Sequence, residues 1–242
     1  MTTLTNTFYN DPILSVNVLQ QPAEMTGGIT YIFPWIATAR NQIGAKVLPA
    51  MRSDSTCYMR GLKETVQFQS NNGFPWQWRR ICISLKDQAM YNQGSTESAF
   101  TWWRGDSAGN RRFIGNVNGL KIGIYFIEQL FRGKQSIDWS SYFNAPVDNT
   151  KNRVHYDKTH RLASGNSQGS MRNFKMWHPM NKNIYYDDDE NGANLTPSPF
   201  SVNDKRGMGD YMVIDIIAAG TGSGFGDTAT FNIDSTLYWH EK

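Results

Sequence analysis

Trp76-Gln77-Trp78-Arg79-Arg80-Ile81-Cys82-Ile83-Ser84-Leu85 is the stretch on which the fold turns. Successive side chains on an extended chain point to opposite sides, so Ile81, Ile83 and Leu85 share one face and Arg80, Cys82 and Ser84 the other. Upstream, Thr65-Val66-Gln67-Phe68-Gln69 alternates polar and apolar residues as a half-buried strand does. The turn-rich Ser70-Asn71-Asn72-Gly73 separates the two runs, which predicts an antiparallel pair joined by a loop.

The C-terminal part shows the same organisation. Residues 211–219 are almost continuously apolar, as on a strand covered on both faces, and a glycine-rich break at 220–226 follows. Phe231, Ile233, Leu237 and Trp239 then alternate with Thr230, Asn232, Thr236 and Tyr238. Residues 29–38, 120–127 and 153–162 are further strand candidates, although 120–131 fits a short helix equally well. Loops rich in Gly, Asn, Ser and Asp fill 88–110, 133–152 and 187–206. Short strands with large excursions predict an all-β fold, a sandwich or jelly roll. The 242 residues suffice for one such domain without disulfide or metal support.

Composition excludes more than it assigns. The net charge is only +3, and the two cysteines, Cys57 and Cys82, lack metal-site or redox spacing, so buried free thiols are expected. No apolar stretch approaches the ~20 residues of a membrane span and no signal peptide opens the chain, which predicts a soluble protein, intracellular during synthesis. The 220–226 glycines lack the phosphate-loop register and precede a strand instead of a helix. Nucleophile-elbow and zinc-protease motifs are absent, so no catalytic centre and no cofactor or metal are expected.

Two charge patterns stand out. Between residues 151 and 182 lie Lys151, Arg153, Lys158, Arg161, Arg172, Lys175 and Lys182, with Asp157 as the one acid. Asp187, Asp188, Asp189 and Glu190 follow directly, which reads either as ordinary solvated surface or as a patch that meets a basic patch on a neighbouring subunit. Trp76 and Trp78 beside Arg79 and Arg80, with Arg60 and Lys63 on the preceding strand, form a basic–aromatic cluster. Single-stranded nucleic acid is held by such groups, cations tracking phosphates and rings stacking on bases. The alternative places the tryptophans in the core and pairs the arginines with acids at a subunit boundary.

Cys57-Tyr58-Met59-Arg60-Gly61-Leu62-Lys63-Glu64 followed by Pro75-Trp76-Gln77-Trp78-Arg79-Arg80-Ile81-Cys82 resembles the capsid proteins of genomoviruses, the gemycircularvirus group related to plant geminiviruses. Tyr156-Asp157-Lys158-Thr159, Trp177-His178-Pro179-Met180-Asn181-Lys182-Asn183, Tyr186-Asp187-Asp188-Asp189-Glu190, Gly207-Met208-Gly209-Asp210-Tyr211 and Ser235-Thr236-Leu237-Tyr238-Trp239-His240-Glu241-Lys242 are similar to the same family, in order, from about residue 29 onward. The resemblance implies an eight-stranded jelly roll over residues 29–242 with long inter-strand loops, preceded by an extension over 1–28. It further implies a non-catalytic subunit that assembles with itself into an icosahedral shell around circular single-stranded DNA, located in the virion and, during assembly, in the host nucleus. Capsid proteins of this group begin with a basic arm that binds the genome and would engage nuclear import factors. Residues 1–50 hold only Arg40 and Lys46 against Asp11 and Glu24, so the arm is expected to be absent or truncated here. A lectin-like carbohydrate-binding jelly roll is the alternative reading, and a glycosidase with two carboxylates in a cleft is a third.

Overall fold

The computed structural model describes residues 2–4, 6–8, 22–42, 51–86, 100–106, 109–192 and 194–241. Lys46, Asp11 and most of the loop expected at 88–110 lie outside these residues. The strands in chain order are β1 (Thr2–Leu4), β2 (Asn6–Phe8), β3 (Ala23–Thr26), β4 (Thr30–Ile36), β5 (Thr56–Ser70), β6 (Trp76–Leu85), β7 (Arg104–Asp106) and β8 (Gly109–Ile114). After helix α1 (Lys121–Leu130) come β9 (Arg153–Leu162), β10 (Met171–Tyr185), β11 (Asp189–Asn191), β12 (Asn194–Thr196), β13 (Asp210–Ala219) and β14 (Thr228–Glu241).

The chain is an all-β sandwich of two antiparallel sheets. One runs β14-β5-β10, with β3 and β1 pairing successive stretches along the outer edge of β14. The other runs β4-β13-β6-β9. The expected pairing of 65–69 with 76–85 does not form: β5 and β6 lie in opposite sheets, and the turn at 71–75 carries the chain across the core. β13 and β14 are divided in the same way. Alternation shows which face of a strand is buried, and two strands facing each other across a core satisfy it as well as two paired side by side.

Between the sheets lie two apolar clusters. Trp35, Met59, Leu62, Cys82, Tyr211 and Leu237 belong to one, and Phe33, Val66, Phe68, Trp76, Trp78 and Phe231 to the other. Cys57 and Cys82 are buried free thiols, and burial pushes both up to about 12. A third cluster covers the outer face of the β4-β13-β6-β9 sheet, where Ile81, Ile83, Leu85, Met212 and Ile214 pack under Phe126 and Leu130 of α1 and under Trp139. This second cover explains why β13 is apolar on both faces. It also decides 120–131 in favour of the helix, whose buried Ile122, Phe126, Ile127 and Leu130 recur at helical spacing.

The β14-β5-β10 sheet has no such cover among the described residues, and its outward side chains are polar: Lys63, Thr65, Gln67 and Gln69 on β5 alternate with buried Leu62, Glu64, Val66 and Phe68. Ala23 and Met25 of β3 are fully buried between the sheets, so the sandwich begins upstream of Ile29, within the expected 1–28 extension. No helix among the described residues is long and apolar enough to cross a membrane.

Candidate nucleic-acid and subunit interface

The basic–aromatic cluster on β6 turns inward. Trp76, Trp78 and Arg80 face the opposite sheet with at most 1% exposure, so neither a phosphate nor a base reaches them in this fold. Arg80 donates from Nη1 to Glu64 Oε2 at 2.6 Å and from Nε and Nη2 to the two oxygens of Asp215 at 2.8 and 2.9 Å. Arg112 of β8 donates to Glu64 Oε1 and, at 2.5 Å, to Asp215 Oδ2. Trp78 Nε1 and the Ser235 hydroxyl donate to the same carboxylates, at 2.6 and 3.1 Å. Glu64 is on β5 and Asp215 on β13, so the cluster joins the two sheets between the apolar clusters. Burial would raise the Glu64 pKa, but Arg80 and Arg112 outweigh it and hold the carboxyl far below the usual range.

Arg79 points to the other side of the strand and is spent on architecture. Its guanidinium grips Asp157 of β9 at 2.8 and 2.7 Å and donates from Nη1 to the carbonyls of Tyr142 and Ala145 at 2.6 and 2.8 Å. It thereby pins the 139–150 segment onto the sheet and is 5% exposed. The alternative reading is right that the arginines pair with acids and wrong about where: the acids lie in the same chain and not across a subunit boundary.

The acidic run divides likewise. Asp188 is held inside the chain by a bidentate pair with Arg52 at 2.5 and 2.6 Å and accepts from the Ser198 amide at 3.0 Å. Arg52 in turn lies 3.9 Å from the Tyr186 ring centroid. The Asp188 side chain is only 3% exposed and thus has no surface for a neighbouring subunit. Asp187 and Asp189 are exposed, and Glu190 belongs to the short β11–β12 hairpin.

The basic stretch falls on β9 and β10, the edge strands of the two sheets. Arg153, Lys158, Arg161, Arg172 and Lys175 are exposed there, Lys182 is half-buried, and Lys151 precedes β9. Cations on an edge strand also discourage unwanted strand pairing, so this placement alone does not define a binding site. His178, in the same stretch, is buried with Nε2 3.2 Å from Glu64 Oε2. Among the described residues no group of three or more His, Cys, Asp or Glu side chains could hold a metal ion.

The residue that the sequence reading passed over is Trp177. It lies on the uncovered face of β10, half exposed, directly opposite Lys63 of β5. Its ring packs over Gly61, where a Cβ would come within 2.6 Å of Trp177 Cζ2, and meets Tyr238 of β14 edge-on with centroids 5.8 Å apart. Arg60 donates to Asn181 Oδ1 at 2.7 Å nearby. The usable signal was the alternation of Lys175 and Trp177 with Met176 and His178. No family model and no curated protein matches this chain.

Proposed function

We propose that this chain is the shell-forming subunit of a capsid, an eight-stranded jelly roll whose copies close into an icosahedral particle around circular single-stranded DNA. The observation that supports this reading is the order of the strands. Taking β3, β4, β5, β6, β9, β10, β13 and β14 as strands one to eight, the sheets run one-eight-three-six and two-seven-four-five. First and last, second and seventh, third and sixth, and fourth and fifth strands are neighbours, as when one long hairpin is rolled up into a jelly roll. Fold alone does not specify function; the capsid reading comes from the sequence resemblance, which runs from about residue 29 through the rest of the same sandwich.

Closed shells need repeated contacts whose rotations close, and each can be weak because every subunit makes several. Electron microscopy of the purified chain tests the proposal: uniform small shells are expected. A carbohydrate-binding module is the second reading, favoured by one observation, the exposed Trp177 beside Tyr238. A monomer or small oligomer that binds glycans would replace the capsid reading with that one.

A further inference from the structure

We infer that the open face of the β14-β5-β10 sheet around Trp177 is a stacking site for single-stranded DNA. The inference rests on the capsid reading for its choice of DNA, and on the following geometry for its place.

Trp177 is one of eight tryptophans in the chain and the most exposed of those described, at 50%, whereas Trp35, Trp76, Trp78, Trp102 and Trp139 are at most 9% exposed. Beside Tyr238 its ring offers a flat apolar surface on an otherwise polar face. The ring is also fixed in position, between Gly61 beneath it and Tyr238 at its edge. A preorganised aromatic surface loses little freedom when a flat ligand stacks on it.

The charges beside it are cationic. Lys63 is its direct cross-strand partner, and Lys175, two residues earlier on β10, points to the same side. Both are exposed, and among the described residues no carboxylate pairs with either. Among the described residues, Arg60 bonds to the neutral amide of Asn181. Two exposed carboxylates lie on the same face, Asp234 opposite Thr65 and, farther along β14, Glu24 opposite Thr230. Three cations around an aromatic pair fit a strand that offers phosphates at its backbone and ring faces at its bases. A duplex hides those ring faces, and a neutral glycan has no use for the cations.

Next to this platform is an open recess of about 380 Å³, lined by Tyr58, Asn181, Lys182, Asn183, Tyr185 and Gly207. Asn amides both donate and accept hydrogen bonds, as the edge of an unpaired base requires. The opposite sheet has no comparable face, because α1 and residues 131–150 cover it.

The experiment uses the full chain with a labelled oligo(dT), read by anisotropy and by tryptophan emission, beside electron microscopy of the same samples. Stacking of one base is worth about 1–3 kcal/mol, so Trp177→Ala should weaken binding roughly tenfold, and Trp177→Phe should restore most of it. Oligo(dT) should quench the emission of the wild type but not of Trp177→Phe, whereas a duplex of equal length should leave both unchanged. Lys63→Gln with Lys175→Gln should flatten the log–log salt dependence by about 1.4, at roughly 0.7 per phosphate contact. Shells with unaltered oligo(dT) affinity in Trp177→Ala would overturn the site and leave the capsid reading intact. Loss of shells in Trp177→Ala with unaltered affinity would overturn it too, and make the face a contact between copies. Quenching by a neutral oligosaccharide but not by oligo(dT) would overturn it in favour of a sugar site. Tenfold weaker binding in Trp177→Ala from a wild type that never forms shells would uphold the DNA site while the capsid reading fell.

Discussion

Glu64 and Asp215 stand on opposite sheets and hold the same two guanidiniums, those of Arg80 and Arg112, with all four side chains at most 1% exposed. Removing one member leaves an uncompensated charge in the interior, which costs about 3–5 kcal/mol, whereas exchanging a whole buried ion network for apolar residues is often neutral. Arg112→Met alone is therefore expected to lower stability by about that amount. The combined variant Glu64→Leu, Arg80→Met, Arg112→Met, Asp215→Leu should recover most of the loss. Chemical denaturation followed by circular dichroism measures both, and losses that simply add would contradict the shared grip.

Acid should weaken the fold in two stages. Burial, and then nearby cations (Arg153 and Lys182 at His155, Lys158 and Arg80 at His160), holds both imidazoles below their ordinary value. The unfolded chain then takes up more protons as pH falls through about 6.5, and the folded state loses stability there. Glu64 and Asp188 are depressed carboxylates: burial would raise them, but Arg80 and Arg112 lower the first and Arg52 the second. Their contribution is complete above the unfolded carboxyl value of about 4 and is lost as pH falls below it. Melting temperatures from pH 8 to pH 3 should show both descents, and His160→Gln should flatten the upper one.

Asp188→Asn and Asp187→Asn should differ sharply although the residues are adjacent. The first breaks a buried bidentate pair and leaves Arg52, whose side chain is fully buried, without its carboxylate. A loss of about 3 kcal/mol is expected. Asp187 is exposed, and its substitution should stay within about 0.5 kcal/mol. Thermal denaturation of the two variants checks this.

Arg79→Lys is expected to behave as a loss, because one ammonium cannot span Asp157 and two backbone carbonyls as the planar guanidinium does. The effect should be local. Hydrogen exchange should rise in residues 139–150 and in α1 beneath them, with little change in β5 or β14.

How much of this was legible in the sequence depends on the element. β6 and β13 were readable because apolar residues recur along one or both faces, whereas β9 offered only Val154, Tyr156 and Leu162 alternating with polar neighbours. β10 was not: it is an edge strand with an exposed polar face, and Pro179 interrupts it where the strand bulges. The β5–β6 partition was invisible because a short turn-rich linker fits a hairpin and a crossing between sheets equally well. Arg79 and Arg80 show the limit for the candidate site. The acids that claim Arg80 are 16 and 135 residues away in sequence, and nothing near Arg80 announces them. Trp177 was within reach, since alternation along β10 places it outward with Lys175. It was hidden by the brighter tryptophan pair at 76 and 78.

The buried charge cluster has a mechanical corollary. Sliding one sheet past the other by a single residue step, about 3.3 Å, would pull the Arg80 and Arg112 guanidiniums away from Glu64 or Asp215. The sandwich therefore has one stable alignment and resists shear as a solid brick does.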